Sequence, residues 1–430
     1  MKLLLRGGRV VDPSQGLDAR RDLLLDQGVV ARLEERIEPP SDAEVIDATD
    51  KVVAPGLVDI HVHFREPGQE SKETVATGSA AAVAGGFTSV ACMANTAPVN
   101  DSKLVTQAIR AAAERAALAR VYPIGAVSRG LEGDSLAPLG ELSAAGCVAF
   151  SDDGRPVFNT ELMRRALEYA QHFGKPIVQH AQDLDLSGDG AMHEGELSVC
   201  CGMPGIPGLA EDVMVARDLL LLEDTGGRYH VAHLSTARSL RLVREAKQRG
   251  LPVTCEVAPH HLVLADAAVI ESGFHAHWKM NPPLRAQSDV EALLEGLADG
   301  TVDAIASDHA PHTADEKRLE FQLAPFGIVG LETTLALGLD RLVGKGIVSL
   351  SRLVELLSTG PARCFGLPGG SLAPGSPGDV TLIDLDRELE VAAARFRSKS
   401  ANTPFDGWRL RGAAVATIVA GRVVHRAEGV

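Results

Sequence analysis

Short apolar, β-branched runs alternate with helical stretches along most of the chain. Eight runs can be counted, at 57–63, 87–93, 121–127, 147–150, 176–180, 229–233, 252–258 and 302–308. Between most of them the apolar period lengthens to that of a helix. The stretch 103–118 is alanine-rich, with Asp101 or Ser102 as its expected N-cap. Stretches 160–173 and 236–249 stop before Gly174 and Gly250, which suit a left-handed helix end. Amphipathic patterns also cover 211–223 and 290–297. Eight strands each followed by a helix predict an α/β chain folded as a (β/α)₈ TIM-like barrel.

The two ends read differently. Short strands are expected at 2–5, 9–11 and 45–47, separated by Gly and Asp turns. Similar strands are expected at 379–385 and 413–424, after a Pro/Gly-rich linker near 367–378. Neither end carries enough apolar residues for a core of its own. The expectation is one small β-sandwich built from both termini. Residues 1–54 plus 367–430 would form it, beside a catalytic barrel of residues 55–366.

Polar residues close the apolar runs at matching places. His61 and His63 end the first run, one residue apart and so on one face of a strand. Asp152 and Asp153 follow the fourth, His180 ends the fifth, His233 the sixth and Asp308 the eighth. The C-terminal ends of barrel strands surround one mouth, where barrel enzymes keep their active sites. Four histidines and two carboxylates gathered there suit one or two Zn²⁺ ions per subunit, or Mn²⁺ or Co²⁺.

The motifs in order are Pro55-Gly56-Leu57-Val58-Asp59-Ile60-His61-Val62-His63-Phe64-Arg65-Glu66-Pro67-Gly68, Met93-Ala94-Asn95-Thr96 and Phe150-Ser151-Asp152-Asp153-Gly154. Gln179-His180-Ala181, Ala232-His233-Leu234-Ser235-Thr236 and Pro259-His260-His261 follow. Asn281-Pro282-Pro283-Leu284-Arg285, Asp308-His309-Ala310-Pro311-His312 and Ala324-Pro325-Phe326-Gly327 complete the series. The chain resembles the type I dihydroorotases of the cyclic amidohydrolase superfamily over nearly its whole length. Many relatives bridge two metals with a carboxylated lysine near the fourth strand; here no lysine lies between Arg120 and Gly174. The resemblance implies Asp153 as the bridge, with Asp152 as a neighbour. It implies His61, His63, Asp153, His180, His233 and Asp308 as metal ligands, and Asp308 as the catalytic proton carrier. It further implies contacts to substrate from His63, Arg65, Asn95 and His312 around a carboxylate, and from Asn281 and the backbone of Phe326 and Gly327 along the ring edge. The implied reaction is reversible closure of N-carbamoyl-L-aspartate to dihydroorotate, a step of pyrimidine synthesis.

Plainer roles compete for some of these residues. Arg65 can pair with Glu66 or Glu70, and Asn95 and Asn281 stand where turns are expected. His260 and His261 follow the seventh run, but with six ligands already assigned they are expected in supporting roles. His309 is expected to pack beside Asp308. His275 and His277 are expected at the surface, and the adjacent Cys200 and Cys201 in a loop.

Composition narrows the alternatives. The 42 Lys and Arg against 57 Asp and Glu give a net charge of −15, which disfavours nucleic acid and anionic membranes as partners. No apolar run approaches the roughly 18 residues of a membrane span. The opening Met1-Lys2-Leu3-Leu4-Leu5 is too short for a signal core and leads into a strand. Six scattered cysteines suggest a reducing cytoplasm. A hydantoinase or allantoinase is the nearest alternative, and a silent scaffold of aspartate carbamoyltransferase the next. The first is opposed by the carboxylate clamp and the second by the full ligand set. A homodimer or larger oligomer, and association with that transferase, are the macromolecular partnerships considered.

Overall fold

The computed structural model describes residues 2–427. The eight apolar runs each supply a strand, all parallel. Leu57–Val62, Phe87–Cys92 and Arg120–Pro123 form one group. Phe150–Ser151, Ile177–Gln179, Tyr229–Val231, Val253–Val257 and Ala304–Ile305 form the other. Parallel bridges from Gly125 to Phe150 and from Val62 to His309 join the groups at both edges and close the barrel.

A buried cluster of Val58, Ile60, Ala91, Met93, Ile124, Ala149, Val178, Ala232 and Ala304 draws on seven of the eight apolar runs that carry the strands. The missing one carries Val253–Val257. Its Cys255 and Val257 pack in the larger cluster shared with the helices, which leaves Thr254 and Glu256 on the other face of that strand. A charged residue there is costly without partners.

The helices run close to expectation, with their ends set by local chemistry. Lys103–Ala116 begins after Ser102 and ends at Ala117; Asp101 instead accepts from Gly130 N. Thr160–Ala170 is capped by Asn159, whose side chain accepts from Leu162 N. Thr236 stands outside its helix, Ala237–Gln248, and caps it through Ser239 N. Gly208–Thr225 and Gln287–Asp299 extend the patterns seen at 211–223 and 290–297. Val75–Ala84, after the first strand, escaped the pattern because its small residues are buried nearly all round.

The termini meet in one eight-stranded sheet. Its path runs Arg422–Arg426, Arg409–Val419, Val380–Glu390, Val52–Pro55, Lys2–Asp12, Leu17–Asp26, Val29–Glu34, with Ala43–Asp47 beside Lys2–Asp12. Val52–Pro55 lies antiparallel to Val380–Glu390 and parallel to Lys2–Asp12, so this short strand stitches the two ends together. Leu3, Leu5, Val10, Leu23, Leu25, Val53, Val380, Leu382, Val415 and Ile418 form the core they share. Among the described residues no helix is long and apolar enough to cross a membrane.

Candidate active site

The strand ends bring His61, His63, Asp153, His180, His233 and Asp308 together, all buried. Asp153 lies at the centre. Its Oδ2 is 3.3 Å from His61 Nε2 and 3.4 Å from His63 Nε2. Its Oδ1 is 3.2 Å from His233 Nε2 and 3.6 Å from His180 Nδ1. One carboxylate therefore faces two pairs of imidazoles, one pair on each oxygen. Asp308 Oδ1 lies 3.2 Å from His63 Nε2 and 3.5 Å from His61 Nε2. Asp152 does not share this place. It accepts from Val127 N, Ser128 N and Ser128 Oγ, and so holds the loop after the third strand.

These donors fit a divalent cation. Two sets, His61–His63–Asp308 and His61–Asp153–His233, each hold three potential ligand atoms within 4.8 Å of one another. His61 Nε2 is buried with no hydrogen-bond partner, although two carboxylates face it. His180 Nδ1 and His233 Nε2 stand 2.9 Å apart. Converging imidazole nitrogens and carboxylate oxygens of this kind are the ligands that zinc-like ions take. Burial alone would push the Asp153 and Asp308 carboxyls up. The electrostatic pull of His61 and contacts with the other imidazoles outweigh it and hold both below the usual range.

The far nitrogens of three of these imidazoles are held in turn. His61 Nδ1 meets Glu256 Oε1 at 2.6 Å, His63 Nδ1 meets Asn95 Oδ1 at 2.9 Å, and His180 Nε2 meets Gln182 Oε1 at 2.8 Å. An N–H donated outward fixes the tautomer and leaves the inward nitrogen free to bind metal. Backbone strain gathers here too: Arg65, His233 and Asp308 have φ of 61°, 31° and 47°.

Beyond the centre lie the residues expected to meet substrate. The strand stops at Val62, and a left-handed turn at Arg65 carries its side chain inward. Arg65 pairs with neither Glu66 nor Glu70. Glu66 accepts from Val75 N and Glu70 from Gly68 N, while the guanidinium is buried and, among the described residues, donates only its Nε, to Pro311 O at 3.3 Å. Burial pulls it down to about 10, against the pull of Asp308 and Asp153; it stays charged at neutral pH. His312 Nε2 donates to Phe326 O at 2.8 Å. Asn281 Nδ2 donates to Gln182 Oε1 at 2.7 Å. Gly327 N already donates to Lys279 O at 2.9 Å, and Gly327 O accepts from Asn402 Nδ2 at 3.0 Å. The ring-edge contact expected of Gly327 is thus limited to its carbonyl's second lone pair.

The comparisons with known proteins agree with this geometry. A dihydro-orotase-like family model matches residues 50–239. A dihydroorotase of Anaeromyxobacter sp. (strain K) is 58% identical over 423 residues, 98% of each chain. One of Citrifermentans bemidjiense is 54% identical over 427 residues, covering 99% of this chain and 100% of that one. The chain belongs to the dihydroorotase family. Among solved structures, the L-hydantoinase (dihydropyrimidinase) of Arthrobacter aurescens superposes with a TM-score of 0.89 at 27% identity, over 99% of this chain and 96% of that one. The D-hydantoinase (dihydropyrimidinase) of Thermus sp. gives 0.82 at 26%, over 99% and 95%. The (β/α)₈ barrel with a terminal sheet is shared with these amidohydrolases.

Two residues of this family member were missed by sequence reasoning. Glu256 could have been found as the one charge inside the apolar run 252–258. Gln182 carries the weaker signal of sharing parity with His180. Of the residues discounted, His260 is buried with Nε2 unpartnered, while His261 Nε2 donates to Pro282 O at 2.9 Å and anchors the segment bearing Asn281. His309 lies 3.2 Å from Glu73. His275 is exposed, but His277 is half-buried. Cys200 and Cys201 are exposed and end a short helix, Glu196–Cys201, rather than lying in a loop.

Proposed function

We propose that the protein is a cyclic amide hydrolase, a dihydroorotase, that closes N-carbamoyl-L-aspartate to (S)-dihydroorotate with loss of water, and reopens it. The observation that carries this reading is Arg65, a buried guanidinium with most of its fork unclaimed among the described residues, beside a cluster of four imidazoles and two carboxylates. Such a fork is built for a carboxylate. Dihydroorotate carries one, and hydantoin and dihydrouracil do not.

His61, His63, Asp153, His180, His233 and Asp308 would hold Zn²⁺, as one ion or two, with Asp153 shared. When bound, such an ion supplies Lewis acidity, lowering the pKa of water and polarising a carbonyl. Arg65 orients the substrate by its carboxylate, with the Asn95 amide beside it; His312, whose Nε2–H is already given to Phe326 O, lines the same place rather than donating to the carboxylate. Asn281 and Phe326 N–H meet the ring edge. Asp308, ionised at neutral pH, accepts the proton of the attacking water and hands it to the departing ring nitrogen. In ring closure the proton travels the other way. Its low basicity makes proximity the source of its effect.

The substrate is a small soluble acid, consistent with a cytoplasmic enzyme. A homo-oligomer and a complex with aspartate carbamoyltransferase are the assemblies this reading admits, and gel filtration with and without that enzyme tests both. The activity is tested with zinc-loaded protein given dihydroorotate in one reaction and carbamoyl-aspartate in another. Both should approach one common ratio. Loaded protein that converts neither would overturn the proposal.

A further inference from the structure

One buried cation ties together the segments assigned to the substrate ring. Lys317 is 5% exposed, and its Nζ donates to Ala276 O at 2.9 Å, Lys279 O at 3.3 Å and Pro325 O at 2.8 Å. Three N–H groups meet three carbonyls, so the ammonium is fully used. Lys279 O also accepts Gly327 N–H, and Asn281 follows two residues later. Pro325 directly precedes Phe326. The ring of Phe326 lies under the Lys279 ammonium, 4.4 Å from its centroid, and that ammonium donates to Gln322 O at 2.8 Å. Lys317 sits on the short turn Glu316–Arg318. Its neighbour Glu316 accepts from Thr313 N at 3.0 Å and lies 3.5 Å from His312 Nδ1.

We propose that Lys317 is a positioning residue for substrate, its ammonium clamping the segments that carry Asn281, His312 and Phe326-Gly327 in register around the ring. This rests on the dihydroorotase reading of those residues. Among the described residues Lys317 bonds only to backbone carbonyls, so it acts through the segments it joins and not on the reacting atoms.

The clamp depends on charge. A neutral amine keeps two N–H groups for three carbonyls and turns a lone pair toward the third. Burial and the neighbouring Lys279 push Lys317 down to about 7, with Glu316 alone opposing. The other titratable groups that feel its charge are the imidazoles of His277 and His312. A depressed lysine is charged below its pKa, so the clamp is complete on the acid side and loosens as pH rises through about 7.

The test is steady-state kinetics on dihydroorotate from about pH 6 to 9, for metal-loaded unmodified protein, Lys317→Met and Lys317→Gln, together with hydrogen exchange of the Gly327 amide without substrate. Misplaced ring contacts should raise KM about ten- to a hundredfold at pH 6 while kcat stays within about threefold. The variants' KM should then be flat with pH, whereas that of the unmodified enzyme climbs above pH 7. Exchange at Gly327 should quicken in both variants. Unchanged KM and unchanged exchange in both variants would overturn the proposal. Should neither variant fold, a flat KM in the unmodified enzyme would overturn it and a rising one support it. Unmodified protein that leaves dihydroorotate untouched would sink the functional reading instead, and exchange at Gly327 would decide the clamp alone.

Discussion

Replacing Glu256 by leucine should weaken metal binding and folding together, by separable amounts. Glu256 is buried, 2.6 Å from His61 Nδ1 and 3.2 Å from His230 Nε2, and His230 Nδ1 is 2.7 Å from Thr254 Oγ1. Burial would push the Glu256 carboxyl up. The charges of His61 and His230 and their hydrogen bonds outweigh it and hold it down to about 2. Leucine fills similar space, so little cavity is made, but both imidazole nitrogens lose their acceptor. Each orphaned buried group costs about 1–3 kcal/mol, or about 2–6 kcal/mol for the pair. His61 also loses the bond that orients it toward the ion. Losing such a partner lowers metal affinity about 10–100-fold. Glu256→Gln keeps one acceptor for His61 and turns an amide toward His230, so it should lose about half the stability and less of the affinity. Urea unfolding of metal-free protein reads the first quantity, and competition with a chromophoric chelator reads the second. Leucine at this position with an unchanged urea midpoint and unchanged zinc affinity would refute the reasoning.

Three other outcomes follow from the same geometry. Asp308→Asn keeps an oxygen for the ion but no proton acceptor, so elemental analysis should find metal largely retained while kcat falls about 10²–10⁴-fold; normal turnover by the loaded variant would remove Asp308 as the proton carrier. Arg65→Met should raise KM for dihydroorotate by a factor equivalent to about 2–5 kcal/mol, the cost of breaking a buried charge pair. Glu332, away from the centre, is pushed up to about 7 by burial, against backbone donors Arg397 N and Ser398 N. Its folded value exceeds its unfolded one of 4.5, so the folded state holds the extra proton and stability declines as pH rises from 4.5 to 7. Glu332→Gln should therefore be more stable than the unmodified protein at pH 8, by on the order of 1–3 kcal/mol, with the gain vanishing near pH 4. An equal effect at both pH values in urea unfolding would contradict this.

The barrel was legible because buried parallel strands are written as unbroken apolar runs, and all eight runs became strands. The centre was legible for a related reason: a histidine or aspartate that ends such a run stands at the mouth whatever its distance in sequence. Partners of those residues were harder to see. Glu256 and Gln182 earn their places only through contacts with His61 and His180, which no periodicity reports. Asp152 and Asp153 could not be separated by pattern, and the loop bonds of Asp152 separate them. In the terminal sheet the segments 2–5 and 9–11 are one strand, Lys2–Asp12, with a register shift between Leu5 and Gly8. Leu17–Asp26 went unforeseen because its first half alternates exposed and half-buried positions while only its second half is apolar.

The central claim is that Arg65 and its neighbours select a ring that carries a carboxylate. Turnover of dihydroorotate and of dihydrouracil by one zinc-loaded preparation tests it directly, since the two rings differ only in that group. The account predicts kcat/KM at least about thirtyfold higher for dihydroorotate, the lower bound for a buried charge-assisted contact of about 2 kcal/mol. Dihydrouracil opened as fast as dihydroorotate, or faster, would contradict it.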